Sequence, residues 1–160
     1  MDKITRDQFA TYLNTTPKED TPTWGLVGVG VTSYGIAYNP QVTTEKWIIH
    51  KAATSSVDSY QRQGDVSQKC YKGEPVFEYV NELRRKGGIG AEVQTQVLDI
   101  DKYEGTEAGA YKATKSDVII AISNYMAEDA VIEYTIYYNG DPVQGTVTFA
   151  DETPTFVEEA

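Results

Sequence analysis

The sequence has few of the residues that most catalytic and metal sites require. It contains one cysteine, Cys70, and one histidine, His50, in 160 residues. A single cysteine excludes a disulfide within the chain and fits a reducing compartment. The sequence has no Cys-x-x-Cys pair, no nucleophile-elbow serine and no metal-binding histidine spacing. We therefore expect no enzymatic activity, no metal and no cofactor.

Basic residues and long apolar runs are also scarce. Lys and Arg number 14 against 24 Asp and Glu, which gives a formal net charge of −10. This charge argues against nonspecific DNA binding, because basic groups hold a polyanion by displacing its counterions. The alternative is that acidity only keeps the protein soluble. With no run near the roughly 18 apolar residues of a membrane span and no secretion signal, we expect a soluble, cytosol-made protein without membrane insertion.

The apolar pattern favours one domain built mainly from strands, assigned to residues 23–160. A chain of this length can bury roughly two-thirds of its unfolded surface in one core. The β-branched run from Trp24 to Val31 predicts a strand covered on both sides. Tyr34 to Tyr38 alternates, and Glu45 to His50 predicts a further strand that places Trp47 in the core.

Two polar segments interrupt this pattern. Residues 1–22 are predicted to form an N-terminal arm, in which Phe9, Tyr12 and Leu13 have the spacing of a helical turn. This arm folds back on its own domain or docks on a neighbour. Residues 52–72 are too poor in apolar side chains for a core element, which indicates function, hidden strands or disorder. The candidate inter-subunit residues in this region are Ser55, Ser56, Asp58, Tyr60, Gln61 and Gln63.

One α-helix is predicted, from about Glu74 to Lys86. Pro75 suits the first helical position, where its missing N–H costs nothing. An apolar stripe follows at helical spacing, and two glycines after Lys86 end the helix. The stripe consists of Val76, Phe77, Val80 and Leu83.

Two strands and a hairpin complete the prediction. Ala91 to Ile100 changes phase between Val97 and Leu98, as a β-bulge would produce. Ser116 to Ser123 places alternate apolar residues on one face. Ala130 to Phe149 is predicted as a hairpin with a two-residue type I′ turn at Asn139-Gly140. That turn sets the register, with Ile136 opposite Val143, Ile132 opposite Val147, Ala130 opposite Phe149, Thr135 opposite Gln144 and Glu133 opposite Thr146.

A series of short motifs carries a family resemblance. In chain order they are Trp24–Val31 with Thr32-Ser33, Tyr38-Asn39-Pro40-Gln41, Thr44-Glu45, Trp47-Ile48, Lys72–Tyr79, Gly109-Ala110-Tyr111 and Tyr138–Val143. Together they resemble the major tail proteins, or tail tube proteins, of long-tailed, noncontractile phages and prophages of Gram-positive bacteria. The segment from Tyr125 to Ala130 departs from the family because it lacks the glycines expected at that turn.

The resemblance implies a mainly β (α+β) fold, a β-sandwich or barrel-like domain with one flanking helix and extended polar arms. It implies a virion protein that assembles in the host bacterial cytoplasm into hexameric rings, which stack into the tail tube. The tube would enclose the tape measure protein, meet tail terminator and distal tail proteins, and conduct DNA during ejection. An acidic lumen would repel the phosphates of the passing DNA without binding it. The candidate lumen-facing carboxylates are Asp99, Asp101, Glu104, Glu107 and Glu133.

Two other functions remain open. Twelve tyrosines and two tryptophans favour a β-sandwich carbohydrate-binding module, in which aromatic rings stack on sugars. Exposed, coplanar Trp24 and Trp47 would support that module, and buried ones would exclude it. The other alternative is a tube subunit of a phage-tail-like bacteriocin or a gene transfer particle.

Overall fold

The computed structural model describes residues 1–105 and 109–159 and is built around one curled sheet. This part of the chain contains one α-helix, α1 (Pro75–Lys86), and short 3-10 turns at Arg6–Gln8 and Gly90–Val93. Its strands are β1 (Phe9–Asn14), β2 (Trp24–Leu26), β3 (Val31–Ala37), β4 (Pro40–Glu45), β5 (Thr54–Tyr60), β6 (Gln63–Lys69), β7 (Gln94–Gly105), β8 (Tyr111–Met126), β9 (Val131–Ala150) and β10 (Thr153–Glu158). The predicted mainly β fold with one helix is confirmed.

The sheet is antiparallel, in the order β2-β1-β7-β8-β9-β6-β3, with β10 added alongside β9. Strands β4 and β5 form a separate two-stranded sheet. The N-terminal segment therefore folds back on its own domain, because β1 lies between β2 and β7. The helical turn predicted there is wrong. Tyr12 and Leu13 belong to a strand and are buried in different clusters, on its two faces.

Helix α1 covers one face of the sheet, as its apolar stripe predicted. The Glu74 side chain accepts a hydrogen bond from the Phe77 N–H at 2.6 Å and so caps the helix N-terminus. Gly87 ends the helix in the left-handed conformation at φ 60°. The stripe packs into a first core with Val66, Val97, Val118, Ile120, Ile132, Tyr134 and Ile136. Each of these buried side chains contributes about 1.5–3 kcal/mol through burial.

A second core lies on the opposite face, near the other end of the sheet. It contains Ala10, Tyr12, Leu98, Ile100, Ala113 and Val147, with Phe149 and Phe156 packed against it. Val97 and Leu98 are both fully buried, one in each core. The bulge predicted between them is wrong, because both strand pairings run through these residues without a shift. The apolar phase changes there because Val97 is buried on one face of the sheet and Leu98 on the other.

Strand β9 is continuous, so the hairpin predicted at Asn139-Gly140 is wrong. A type I′ turn needs positive φ at both residues, and only Gly140 has it, at 68°. Lys115 pairs with Val143 and Asp117 with Asn139, so residues 140–142 form a bulge opposite Ser116. The continuous strand pairs with β8 along its length, with β6 along its first half and with β10 along its second. A hairpin in which the two halves of β9 paired with each other would lose backbone hydrogen bonds to these strands.

Two tight turns next to β9 use residues other than glycine at positive φ. Asp151 and Glu152, at φ 49° and 64°, form the two-residue turn that joins β9 to β10. Strand β10 was not predicted, because this turn lacks the usual Asn-Gly signal. The β8–β9 turn, where the family pattern expects glycine, ends instead at Ala130 with φ 52°.

The two strands that were predicted to contain Trp24 and Trp47 both have different bounds in the structure. Strand β2 stops at Leu26, and β3 begins only at Val31, after Gly30 turns the chain at φ 78°. Strand β4 ends at Glu45, and the Trp47 C=O then accepts a turn hydrogen bond from the His50 N–H at 3.0 Å. Trp47 is 61% exposed and lies outside both cores. A two-stranded sheet has no covering layer against which that side chain could be buried.

Candidate assembly surfaces

The β4–β5 hairpin, residues 40–60, is the most exposed part of the described chain. Every residue from 37 to 61 is exposed, and the hairpin forms a sheet of its own. Thr44 Oγ1 and Ser55 Oγ lie 2.9 Å apart across it. At its base the rings of Tyr38 and Tyr60 meet edge to face, with centroids 5.8 Å apart. Of the three interpretations of residues 52–72, hidden strands are confirmed, since β5 and β6 occupy most of the segment.

The predicted inter-subunit residues fall mostly on this hairpin. Four of them lie on β5, and Gln61 follows it. Gln63 begins β6, an inner strand of the main sheet, and is half-buried. A two-stranded sheet leaves the outer backbone edges of both strands unpaired, and such edges readily pair with another chain. The four residues on β5 are Ser55, Ser56, Asp58 and Tyr60.

An apolar tip, residues 47–49, lies between the two strands of the hairpin. The exposed fractions of Trp47, Ile48 and Ile49 are 61%, 103% and 76%. The Trp47 ring stacks on the ring of His50, with centroids 5.7 Å apart and planes at 8°. Lys46 and Lys51 flank the tip. Contiguous exposed apolar side chains rimmed by charge are typical of a protein interaction site.

The second surface is the open face, defined as the side opposite to α1 that is formed by β6, residues 117–123 of β8 and residues 131–139 of β9. In β9 the residues that alternate with the buried ones point to this face, among them Glu133 and Thr135. Thr135 Oγ1 donates a hydrogen bond to Asp65 at 2.8 Å. Gln96 Nε2 donates one to Asp117 at 3.2 Å on the same side. The open face is mostly polar and carries Asp65, Asp117 and Glu133, with Lys69 at one end and Ile119, Ala121 and Tyr137 between them.

The structure does not bring the predicted lumen-facing carboxylates together on one surface. Glu133 lies on the open face, and Asn124 donates a hydrogen bond to it at 3.1 Å. Asp99 and Asp101 alternate with Leu98 and Ile100 on β7 and so face the α1 side. Glu104 lies 3.5 Å from Lys112. The fifth residue, Glu107, lies outside the described residues.

Sequence reasoning missed the other two carboxylates of the open face. Asp65 lies in the polar segment 52–72, to which no strand was assigned, and Asp117 precedes the apolar residues of β8. Buried and exposed residues alternate in Gly64-Asp65-Val66-Ser67-Gln68, with Gly64, Val66 and Gln68 buried, and this alternation could have predicted a strand with Asp65 on its exposed face.

Asp99 belongs to a polar network that connects four strands. Its carboxylate accepts hydrogen bonds from Thr11 Oγ1 on β1 and from the Tyr138 hydroxyl on β9, each at 2.9 Å. The Tyr138 hydroxyl lies 2.9 Å from that of Tyr34 on β3. The Arg62 guanidinium packs 4.7 Å from the Tyr138 ring centroid. Of these residues, Thr11, Tyr34, Arg62 and Asp99 line a cavity of about 400 Å³. Burial raises the pKa of Asp99, although the hydrogen bonds from Thr11 and Tyr138 lower it.

The pH dependence of stability tests the environment of Asp99. Since the pKa of Asp99 is raised in the folded protein above its ordinary 3.8, the unfolded chain loses this proton first. Stability therefore falls as pH rises from 3.8 through the folded-state pKa. The free energy of unfolding of the wild type minus that of Asp99→Asn should decrease over this range and then level off. Urea denaturation at successive pH values measures it, and a difference that increases with pH would contradict the raised pKa.

The two tryptophans do not form the aromatic platform of a sugar-binding module. Trp24 is half-buried against the second core, and Trp47 lies at the hairpin tip with His50 as its stacking partner. Among the described residues, no three His, Cys, Asp or Glu side chains group as a metal site. The same residues include no helix with the length and apolar character to span a membrane.

Comparison with known proteins gives structural neighbours but no sequence family. No protein-family model matches the sequence, and no curated protein matches it. A chain from the tail of an empty GTA particle, solved by helical refinement with C6 symmetry, aligns with TM-score 0.57. It is 9% identical, over 88% of this chain and 97% of that one.

A second neighbour comes from an extracellular contractile injection system, in the structure of its PVC sheath/tube terminator in the extended state. It aligns with TM-score 0.50 and 11% identity, over 90% of this chain and 97% of that one. At these identities the likeness shows a common fold. The chain therefore shares its fold with components of tail and tube-terminator assemblies.

Proposed function

We propose that this chain is the structural, non-enzymatic subunit of the tail tube of a long-tailed, noncontractile phage or prophage of Gram-positive bacteria. The observation that carries the proposal is the shared fold, which spans 97% of a chain from a C6-symmetric tail. In the proposed assembly six copies form a ring, and the rings stack into a tube. The subunit comprises the tube domain, residues 23–160, preceded by residues 1–22, which contribute β1 to its sheet.

The β4–β5 hairpin supports this proposal. A closed ring or a stack needs a heterologous interface, in which one patch meets a different patch on the next copy. The hairpin offers two strand edges and an apolar tip, and all of its residues are exposed in the single chain. We assign the contact between subunits to the hairpin, including the predicted residues Ser55, Ser56, Asp58, Tyr60 and Gln61.

The open face supports a role in lining the lumen. A sheet face that borders a water-filled channel must be polar, and this one carries Asp65, Asp117 and Glu133. Carboxylates repel the phosphates of DNA, so the genome would pass without specific binding. In this role the tube encloses the tape measure protein, ends at terminator and distal tail proteins, and assembles in the bacterial cytoplasm as part of the virion.

A tube subunit of a gene transfer particle or a phage-tail-like bacteriocin is the second candidate. The likeness to the tail of a GTA particle favours it. Both candidates share the tube and differ in its cargo. The nucleic acid content of particles purified from the source cells would separate them.

Assembly of the purified chain tests the proposed function. The protein should be monomeric when dilute and should form six-fold rings and then tubes when concentrated or seeded with tail initiation components. Negative-stain electron microscopy measures this directly. A folded protein that stays monomeric at every concentration, even when seeded, would count against a tube subunit.

A further inference from the structure

We propose that the apolar tip of one subunit docks in a groove beside α1 on a neighbouring copy of the chain. This inference rests on the proposed function, because it names the partner surface of the β4–β5 hairpin. The groove, called here the α1 groove, lies between residues 15–19 and the exposed flank of α1. Its volume is about 520 Å³, large enough to receive an indole ring and a branched aliphatic side chain.

Apolar and aromatic side chains form part of the lining of the α1 groove, namely Pro17, Pro75, Tyr79 and Leu83. Leu83 is buried, and Tyr79 is half-buried. Tryptophan is enriched among the anchor residues of protein interfaces, because it buries a large rigid ring at low cost in conformational entropy.

The charges of the tip and the groove are complementary. Four glutamates line the groove, against Lys18 and Lys86. The tip is flanked by Lys46 and Lys51, and residues 46–51 include no carboxylate. Opposite charge at the rim of an interface selects the partner surface and its orientation. The four glutamates are Glu19, Glu78, Glu82 and Glu92.

A second apolar groove fits the tip less well. It has a volume of about 920 Å³ and is lined by Trp24, Leu26 and Phe149 among others. Lys72 and Lys102 line it together with Glu74 and Glu152, so it lacks the acidic excess of the α1 groove that would attract the lysines of the tip. The charge pattern therefore favours the α1 groove.

The occupant must be another copy of the chain. Within one chain the tip is free, since Ile48 is 103% exposed. Among the described residues, none of those that line the groove belongs to the β4–β5 hairpin. A tip that fits a different surface of the next copy makes a heterologous contact, the type that builds rings and stacks.

A charge exchange tests this docking. One variant carries Lys46→Glu and Lys51→Glu in the tip, and the other carries Glu82→Lys and Glu92→Lys in the groove. All four side chains are exposed, and within residues 1–105 and 109–159 only Glu82 of the four has an ion pair, to Arg85 at 3.2 Å, so both variants should fold. Each variant alone should need a protein concentration at least roughly tenfold higher than the wild type for tube assembly.

Combining the changes should restore assembly in two ways. The chain with all four substitutions should form tubes near the wild-type concentration, because its tip and groove are again opposite in charge. An equimolar mixture of the two double variants should also assemble, since each tip meets the other variant's groove. Lys72→Glu, which reverses one charge at the second groove, serves as the control and should assemble as the wild type does.

The outcomes separate this inference from the proposed function. If the wild type forms tubes and neither combination restores assembly, the docking is wrong and the tube remains. The docking is also wrong if the double variants assemble as readily as the wild type. If the folded wild type forms no rings or tubes, both proposals fail.

Discussion

Replacing residues 41–59 with a short Gly/Asn turn should abolish tube assembly and leave a folded monomer. The removed residues are all exposed, and Pro40 and Tyr60 are paired neighbours, so a short turn can join them. Both cores keep every buried side chain, so the shortened chain should remain folded. The loss of both strand edges and of the apolar tip removes the surface that we assign to the subunit contact.

Thermal melting followed by circular dichroism and sedimentation at high concentration would measure the two effects. Ile89→Ser is a matched control, because it removes a 77% exposed apolar side chain outside the hairpin and should assemble normally. Normal tubes from the shortened chain would show that the hairpin is dispensable for assembly. An unfolded product would show that it belongs to the fold.

Placing lysines on the open face should convert the proposed lumen into a DNA-binding surface. Asp65→Lys, Asp117→Lys and Glu133→Lys together change three negative charges per subunit into three positive ones. The wall would then neutralise phosphates, and each contact steepens the salt dependence of DNA binding by about one unit. Genome delivery should slow most at low salt, where screening is weakest. Ejection kinetics at several ionic strengths measure this effect.

The same number of charge reversals at the β9–β10 end provides the control. Asp151, Glu152 and Glu158 are exposed on another part of the molecule, and their replacement by lysine should leave delivery unchanged. Unchanged delivery at low salt by tubes that carry the open-face lysines would remove the electrostatic lining and leave the tube intact.

Local signals predicted those elements whose structure is decided locally. Helix α1 formed within one residue of its predicted bounds, because its cap, its stripe and its terminal glycine all act within the segment itself. The apolar stripe of Val118, Ile120 and Ile122 on β8 was also predicted, because a strand that is covered on one face has apolar residues at alternate positions. In both cases the apolar period and the packing agree.

The errors arose where partners distant in sequence decide the structure. Asn139-Gly140 has the strongest short-range turn signal in the chain, yet only a bulge forms there, because β8 pairs with β9 on both sides of it and β6 and β10 each pair with one half of β9. Trp47 was placed in a core by its apolar neighbours, although that segment has no second layer to cover it. The polar segment 52–72 includes β5, the second strand of the hairpin. The apolar tip, residues 47–49, was missed because those residues were assigned to the strand predicted from Glu45 to His50.

The inner position of β1 bears on how the chain folds during synthesis. Thr11 and Asp99, which are hydrogen-bonded to each other, lie 88 residues apart in the sequence. Strand β6 likewise pairs with β9, which ends only at Ala150. Contacts of such long sequence separation form late, because the loop must close before they can stabilise it. The first strand to leave the ribosome therefore waits for β7, which ends only at Gly105, whereas β4–β5 is a local pair that can form early. The surface that we assign to assembly would thus be present before the domain that carries it has closed.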